Sequence, residues 1–253
     1  MSINSISSKN NYNIYSQLSS GKRINRAADD AAGLAIGQKM LRHENGLNVG
    51  AQNVQDSKGA LNVADGALNG MMDYLQRIRE LGLRAKNGLY SDSDKASFQT
   101  EINQLKEGIQ SLAKNTTFNE QKLLDGSMAD MHIASNPDGS GMEIGLENTT
   151  LEALGIADFD VTGKFDLSAI DKAMDMVARA RSSAGAYTNR LEHTYNYNMA
   201  ASEEMTRSRS RIEDLDMPMA ISEKKKQDFL MQYQNLMLRN KMNQQGLVTR
   251  LFQ

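Results

Sequence analysis

Apolar residues recur every seven positions along a proline-free segment that runs from about Leu47 to Leu89. One row comprises Leu47, Val54, Leu61, Leu68 and Leu75, and a second, offset row comprises Ala64, Met71, Ile78 and Ala85. Two such rows are typical of a helix in a coiled-coil-like pairing. The pattern therefore predicts a single helix roughly 65 Å long, because each helical residue adds about 1.5 Å.

Apolar residues also recur at helical spacing in two later segments. After the polar break Ser91–Asp94, one face comprises Phe98, Ile102, Leu105, Ile109 and Leu112, which predicts a shorter helix antiparallel to the first. From about Asp166, a heptad row comprises Ile170, Val177, Ala184, Leu191, Asn198, Met205 and Ile212. Asn198 is the polar member of this row, and a polar residue on such a seam can set the register between helices at a cost in stability.

Pro218 predicts the end of that helix, or a kink in it. A last amphipathic segment follows, and we call its apolar side the C-terminal stripe, which comprises Phe229, Leu230, Tyr233, Leu236, Met237, Leu247, Val248, Leu251 and Phe252. Terminal segments normally fray unless other groups hold them down. We therefore expect the C-terminal stripe to be buried by other subunits.

The middle of the chain has a different character. The sequences Asp125-Gly126 and Asn136–Gly141 are strong turn signals, and apolar residues alternate on both sides of the second. This pattern predicts a β-hairpin with strands at about 131–135 and 142–146. The predicted fold is thus mainly α: an elongated rod of long antiparallel helices with a small β-hairpin region.

Composition narrows the possible functions. The chain has no cysteine, which excludes disulfides, thiolate metal sites and cysteine nucleophiles. Its formal net charge of −2 gives no electrostatic reason to expect nucleic acid or an anionic membrane as the main partner. No stretch approaches the ~20 apolar residues that span a bilayer, and the first residues do not resemble a signal peptide of the general secretory pathway. If the protein leaves the cell, we expect another export route.

The polar residues do not form a catalytic or metal-binding pattern. The histidines His43, His132 and His193 are widely separated, and none has a partner at metal-binding spacing. Asp29 and Asp30 are adjacent, which favours a helix start or a polar contact between subunits over a catalytic pair. The run Ser91–Asp94 favours a helix cap over a calcium loop. We therefore expect no enzymatic activity, no metal and no cofactor.

Several ordered motifs resemble those of bacterial flagellins. The N-terminal motifs are LSSGKRIN at 18–25 and AADDAAG at 27–33, followed by LQRIREL at 75–81 and by Phe118-Asn119 with Lys122–Leu124. The C-terminal motif is SRIED at 210–214. The resemblance covers most of 18–126 and 166–253.

The resemblance implies a structural subunit that polymerises into the flagellar filament for motility, outside the cell. The implied domains are 1–33, an inner-tube segment and spoke; 34–126, the first rod helices; 127–165, the hairpin region; 166–214, the returning rod helix; and 215–253, the C-terminal inner-tube helix. Because only about 50 residues separate the rod helices, the resemblance implies a short form, and we expect no outer domains. The residues before Leu18 are fewer than in well-known flagellins, from which we expect an incomplete inner helix layer and a wider or differently lined lumen.

The resemblance also implies partners. These are further copies of the chain, an export chaperone that binds the C-terminal helix before flagellar type III export, the filament cap and junction proteins, and host Toll-like receptor 5. By motif alignment the receptor contacts are Arg77 and Glu101, through charge-assisted hydrogen bonds, and Leu81, as an apolar anchor. The alternative functions are a hook–filament junction protein or another coiled-coil assembly or signalling module. For the three receptor positions, the alternative is that they are ordinary rod residues buried between subunits.

Overall fold

The structure is a computed structural model that describes residues 13–128 and 130–251, with side chains up to residue 243. Phe252 and the residues before 13, on which the prediction of an incomplete inner layer depends, lie outside the described residues. The same holds for the side chains of Leu247, Val248 and Leu251, whose backbone is helical.

The described chain is dominated by long helices, which confirms the predicted mainly α fold. The helices are α1 over residues 13–20, α2 Ala31–Ala85, α3 Asp92–Asn115, α4 Ser168–Glu213 and α5 Met217–Leu251. The strands are β1 Thr117–Phe118, β2 Gln121–Lys122, β3 Asp130–Ala134 and β4 Gly141–Gly145, and each consecutive pair is antiparallel. The chain divides into two compact units, one containing residues up to His43 and from Glu203 onward, the other Glu44–Ser202.

Helix α2 is longer than the heptad pattern predicts. It begins at Ala31 rather than near Leu47, and its 55 residues extend over roughly 80 Å. The N–H of Gly33 donates to Asp30 Oδ1 at 2.8 Å, so Asp30 caps the first turn. The sequence between Ala31 and Leu47 contains no proline to interrupt the helix. The first heptad row continues back to Met40, seven residues before Leu47, but its next position is Gly33, so the apolar spacing does not show that the helix begins at Ala31.

Both predicted α2 rows and the α4 row as far as Asn198 form the core of the unit Glu44–Ser202, whereas Met205 and Ile212 lie beyond it and are partly buried. Both α2 rows are buried, and so are Ile170, Val177 and Leu191 on α4. The two helices are antiparallel, since Lys58 pairs with Glu192 at 3.1 Å and, further along α2, Arg79 pairs with the earlier Asp171 at 2.7 Å. A regular apolar seam between antiparallel helices is what the spacing predicts.

Helix α3 begins as predicted at the polar run after α2. The hydroxyl of Ser91 accepts from the Asp94 N–H at 3.3 Å, and Asp94 Oδ2 accepts from the Ser91 N–H at 3.0 Å. This reciprocal capping box satisfies amide groups that have no partner inside the helix. Hydrogen bonds from Ser91 lower the pKa of the exposed Asp94 carboxyl. The helix-cap interpretation of this segment is therefore confirmed.

The β3–β4 hairpin confirms the strand prediction with a shift of one residue. Ile133 and Ile144 face the core and are 3% and 0% exposed. The chain leaving β3 lies directly on α2 and α4: Asn198 Nδ2 donates to the Ser135 carbonyl at 2.8 Å, and a β-carbon added to Gly50 would lie 2.1 Å from that same oxygen. The predicted seam asparagine thus holds the hairpin end against the helix pair.

The break between α4 and α5 lies a few residues before Pro218, which was predicted to end or kink the helix. Helix α4 ends at Glu213, and Pro218 lies in the first turn of α5. Proline is tolerated there because the first N–H groups of a helix have no internal partner. The Met219 N–H donates to Asp216 Oδ1 at 3.1 Å and completes the new start. Among the described helices, none is both long enough and apolar enough to cross a bilayer.

Candidate assembly and receptor surfaces

A short backbone pairing joins the two chain segments in the unit that contains residues up to His43 and from Glu203. The Arg23 N–H donates to the Glu213 carbonyl at 2.7 Å, and the Leu215 N–H donates to the Gly21 carbonyl at 3.0 Å. Gly21 adopts a left-handed conformation with φ of 69°, which glycine reaches without strain. We call residues 21–24 with 212–215 the terminal clasp.

A buried carboxylate stabilises the terminal clasp from inside. The Glu213 side chain is 7% exposed, and its Oε2 lies 2.9 Å from Lys22 Nζ and 3.9 Å from a nitrogen of Arg209. Gly37 on α2 leaves room for it, since a β-carbon there would lie 1.9 Å from Glu213 Oε1. The small residue at this position therefore permits a close approach to an ion pair.

The adjacent aspartates have separate roles in the loop before α2. Asp29 Oδ2 accepts from the N–H groups of Asn25 and Arg26, both at 3.0 Å. These backbone hydrogen bonds favour the carboxylate and hold the pKa of the exposed Asp29 below its ordinary value. Since Asp30 caps α2, the helix-start interpretation of this pair is confirmed.

Replacing Glu213 by glutamine is expected to loosen the terminal clasp. The amide loses the ion pair with Lys22, which is about half exposed, so we expect a local loss of about 1–2 kcal/mol. Hydrogen exchange at the Arg23 and Leu215 amides should then be roughly tenfold faster. Glu204→Gln, on the exposed side of α4, is the control and should leave both rates unchanged. Equal rates in the wild type and Glu213→Gln would contradict this role.

The C-terminal stripe is exposed along α5. Its members with described side chains have exposed fractions of 48–68% and comprise Phe229, Leu230, Tyr233, Leu236 and Met237. They lie on one side of the helix because their spacings of three, four and seven residues follow the helical repeat. Exposed apolar residues in a continuous row are a common mark of an interaction surface.

The residues predicted to contact a receptor lie together on α2 and α3, but they do not all face solvent. Arg77 Nε donates to Glu101 Oε1 at 2.8 Å, and a second Arg77 nitrogen donates to Glu80 at 3.2 Å. These hydrogen bonds raise the pKa of the Arg77 guanidinium further. Leu81, in contrast, is 1% exposed and belongs to the core. In this conformation Leu81 is not accessible as the predicted apolar anchor.

Sequence comparisons show the family to which the chain belongs. The profile described as the bacterial flagellin N-terminal helical region matches residues 1–129, and the one described as the C-terminal helical region matches 167–252. The chain belongs to the bacterial flagellin family. Flagellins are the structural subunits of flagellar filaments, and the likeness extends across both ends of the helical core. A flagellin of Halalkalibacterium halodurans is 38% identical over 230 residues, which cover 88% of this chain and 84% of that one.

Solved structures agree with the flagellin fold. The crystal structure of Bacillus cereus flagellin covers 60% of this chain and 94% of its own, at 28% identity and a TM-score of 0.53. A putative flagellar hook-associated protein from Vibrio parahaemolyticus covers 74% of this chain and 100% of its own, at 17% identity and a TM-score of 0.60. The second likeness shows the fold alone, so the helical architecture by itself does not separate a flagellin from a hook-associated protein.

The sequence indicated the C-terminal stripe and singled out Arg77 and Glu101, but it did not show that these two side chains pair, and it gave no prediction of the terminal clasp. The available signal was the spacing of Gly33 and Gly37, which favours close packing on one helix face. Nothing local in the sequence indicates that Glu213 is the group packed against Gly37. Among the described residues, no group of three histidine, aspartate or glutamate side chains could hold a metal ion.

Proposed function

We propose that this flagellin polymerises by burying its C-terminal stripe against neighbouring copies in a flagellar filament. The observation that carries the proposal is the row of exposed apolar side chains on α5. Fully burying one large apolar side chain contributes about 1.5–3 kcal/mol, so the stripe provides a substantial driving force for assembly. A second copy presents the same stripe, and repeated contacts between copies extend into a helical polymer.

The same surface suits an export chaperone. A free chain that exposes the C-terminal stripe inside the cell would associate prematurely. A chaperone that covers Phe229 to Phe252 prevents this association until the chain leaves by the flagellar type III pathway. The extracellular filament, its cap protein and its junction proteins are then the later partners of the same chain.

Seeded polymerisation tests the proposal. Purified chain is added to sheared filament seeds, and polymer is measured by pelleting and electron microscopy. Long filaments are expected, together with protection of 217–243 from proteolysis once assembled. A chain that stays dispersed in the presence of seeds would contradict the proposal. Short assemblies that stop at the end of each seed would favour the alternative of a hook–filament junction protein.

A second proposal concerns Toll-like receptor 5. Arg77 and Glu101 have side chains that are 39% and 41% exposed, so part of each remains available to a partner. The two side chains already form an ion pair with each other. This pair fixes their positions before the receptor binds and so reduces the side-chain entropy that is lost on binding. If filament contacts cover this surface, the free monomer is the form that binds.

Replacing Arg77 by alanine is expected to weaken binding to the receptor ectodomain about tenfold or more, as is typical for a charged residue at the centre of an interface. The measurement is equilibrium binding of the monomeric chain. Arg79→Ala is the matched control, because Arg79 also lies on α2 in an ion pair, but with Asp171. Equal affinities for the two variants would argue against a receptor surface at Arg77.

Leu81 is not a useful probe of this surface. Truncating a fully buried leucine to alanine costs about 2–5 kcal/mol of folding stability. Lost binding in Leu81→Ala would therefore report damage to the core rather than a missing receptor contact. Glu101→Ala is the better second variant, because it removes the Arg77 partner from a half-exposed site.

A further inference from the structure

Methionine is the only sulfur-containing residue type in this chain. The sequence has 16 methionines and no cysteine, so the thioether is the only sulfur group that an oxidant meets. Helix α5 exposes Met217, Met219, Met237 and Met242, whereas Met71 in the core is 0% exposed. Oxidation of methionine depends on access to the sulfur, so these helix α5 residues are available in the free chain.

The exposed methionines lie on different sides of α5. Met237 is four residues after Tyr233 and follows Leu236 directly, so it belongs to the C-terminal stripe. Met219 precedes Met237 by roughly five full helical turns and therefore lies on the same side. Met242 is rotated by roughly 140° from Met237, which places it away from the stripe. Exposure is high for both, at 54% for Met237 and 70% for Met242.

We propose that Met237, together with Met219, is a methionine-oxidation site that switches off polymerisation of the free chain. The oxidant is a peroxide of the hydrogen peroxide class. The proposal rests on the proposed function, because it requires the C-terminal stripe to be buried between copies. Assembled chains are protected, since the stripe is then covered.

The chemical step needs no other reactant. A lone pair on the methionine sulfur attacks one oxygen of hydrogen peroxide, an S–O bond forms and the O–O bond breaks. The sulfur is oxidised by two electrons, the peroxide is reduced, and a proton shift releases one molecule of water. Methionine sulfoxide reductases reverse the change and regenerate the thioether.

The sulfoxide weakens assembly because it changes the polarity of a surface that must become dry. Its oxygen is a strong hydrogen-bond acceptor, and the neighbouring stripe residues Leu236 and Tyr233 offer it mainly apolar surface. Burying a polar group without a partner is unfavourable by an amount that corresponds to about tenfold or more in an equilibrium constant. The concentration needed for polymerisation should rise by this factor. A sulfoxide at Met242 lies outside the stripe and leaves assembly nearly unchanged.

The test compares the free wild-type chain, Met219→Leu/Met237→Leu and Met242→Leu after limited hydrogen peroxide treatment. Leucine keeps the volume and apolar character of methionine. Peptide mass mapping measures sulfoxide at each position, and polymer is then measured with unoxidised seeds. We expect oxidised wild type and oxidised Met242→Leu to lose assembly, the double variant to retain it, and reductase treatment to restore the wild type.

The outcomes separate this inference from the proposed function. An oxidised double variant as impaired as the wild type, or normal assembly of chains shown to carry sulfoxide at Met237, overturns the inference while the proposed function stands. If untreated wild type does not polymerise on seeds, the proposed function fails and the inference fails with it. Circular dichroism before and after treatment shows whether oxidation unfolds the helices, and an unfolded product would also overturn the inference.

Discussion

Replacing Leu236 by serine is expected to raise the concentration needed for polymerisation by about tenfold or more. Leu236 lies in the C-terminal stripe and is 57% exposed in the single chain. Since Leu236 is already partly covered in the single chain, the variant loses about 1–2 kcal/mol of apolar burial at each contact and also introduces a hydroxyl into a dry interface. The measurement is the amount of soluble chain that remains after seeded polymerisation.

Leu238 is a matched control two residues further along α5. It is also a leucine and is 48% exposed, but it lies roughly 200° around the helix from Leu236. Leu238→Ser should therefore polymerise nearly like the wild type. The stripe would lose its proposed role if the two variants were equally impaired, or if Leu238→Ser were the weaker assembler.

Replacing Gly50 by alanine is expected to destabilise the unit Glu44–Ser202 by about 3 kcal/mol, near the upper end for overpacked cores. The new β-carbon would lie 2.1 Å from the Ser135 carbonyl oxygen and 3.1 Å from Asn198 Nδ2. The nearest atoms are backbone, so the hairpin end must move and its hydrogen bond with Asn198 is strained. Thermal unfolding should shift down by roughly 6–12 °C.

Replacing Gly66 by alanine, in the same helix, is expected to raise the stability rather than lower it. Gly66 lies in α2, and a β-carbon there would meet no heavy atom within 4 Å. Alanine reduces the freedom of the unfolded chain, so this variant should gain about 0.5–1 kcal/mol. If both variants shifted the melting temperature in the same direction, close packing of the hairpin at Gly50 would not explain the first result.

Regular spacing made the helical core predictable. The row from Leu47 to Leu75 is buried throughout, and Ile133 and Ile144 face the core from the hairpin that turn residues predicted. Such patterns are readable because each apolar side chain must find the same side of its element. Asn198 was predicted as a register residue, and its hydrogen bond to the Ser135 carbonyl is consistent with that role.

The points at which elements turn or begin were harder to predict from apolar spacing. The short β1–β2 hairpin turns through Asn119 and Glu120, both with positive φ, although neither is a glycine. Asp30 caps the start of α2, which the adjacent aspartates indicated as one possibility but the apolar spacing did not. At Asn119 and Glu120 the local preference for a positive φ is weak, and the surrounding fold decides which conformation is adopted.

Of the two candidate surfaces, one was predictable from the sequence and the other only in part. The C-terminal stripe follows from spacing alone, and α5 exposes every one of its members whose side chain is described. The motif around Arg77 predicted three receptor contacts, yet Leu81 is in the core while Arg77 and Glu101 are half exposed. A linear motif places residues on one helix but does not show which of them a second helix covers.

By itself, the sequence determined that long helices form, where their apolar sides lie, and that the chain resembles a flagellin. Periodicity and turn chemistry act over a few residues, so they can be read without knowing the fold. Only the tertiary structure placed Glu213 between Lys22 and Gly37, brought the Ser135 carbonyl onto Gly50, and buried Leu81. Each of these depends on residues that are far apart in sequence, and their contacts arise because antiparallel packing brings them together.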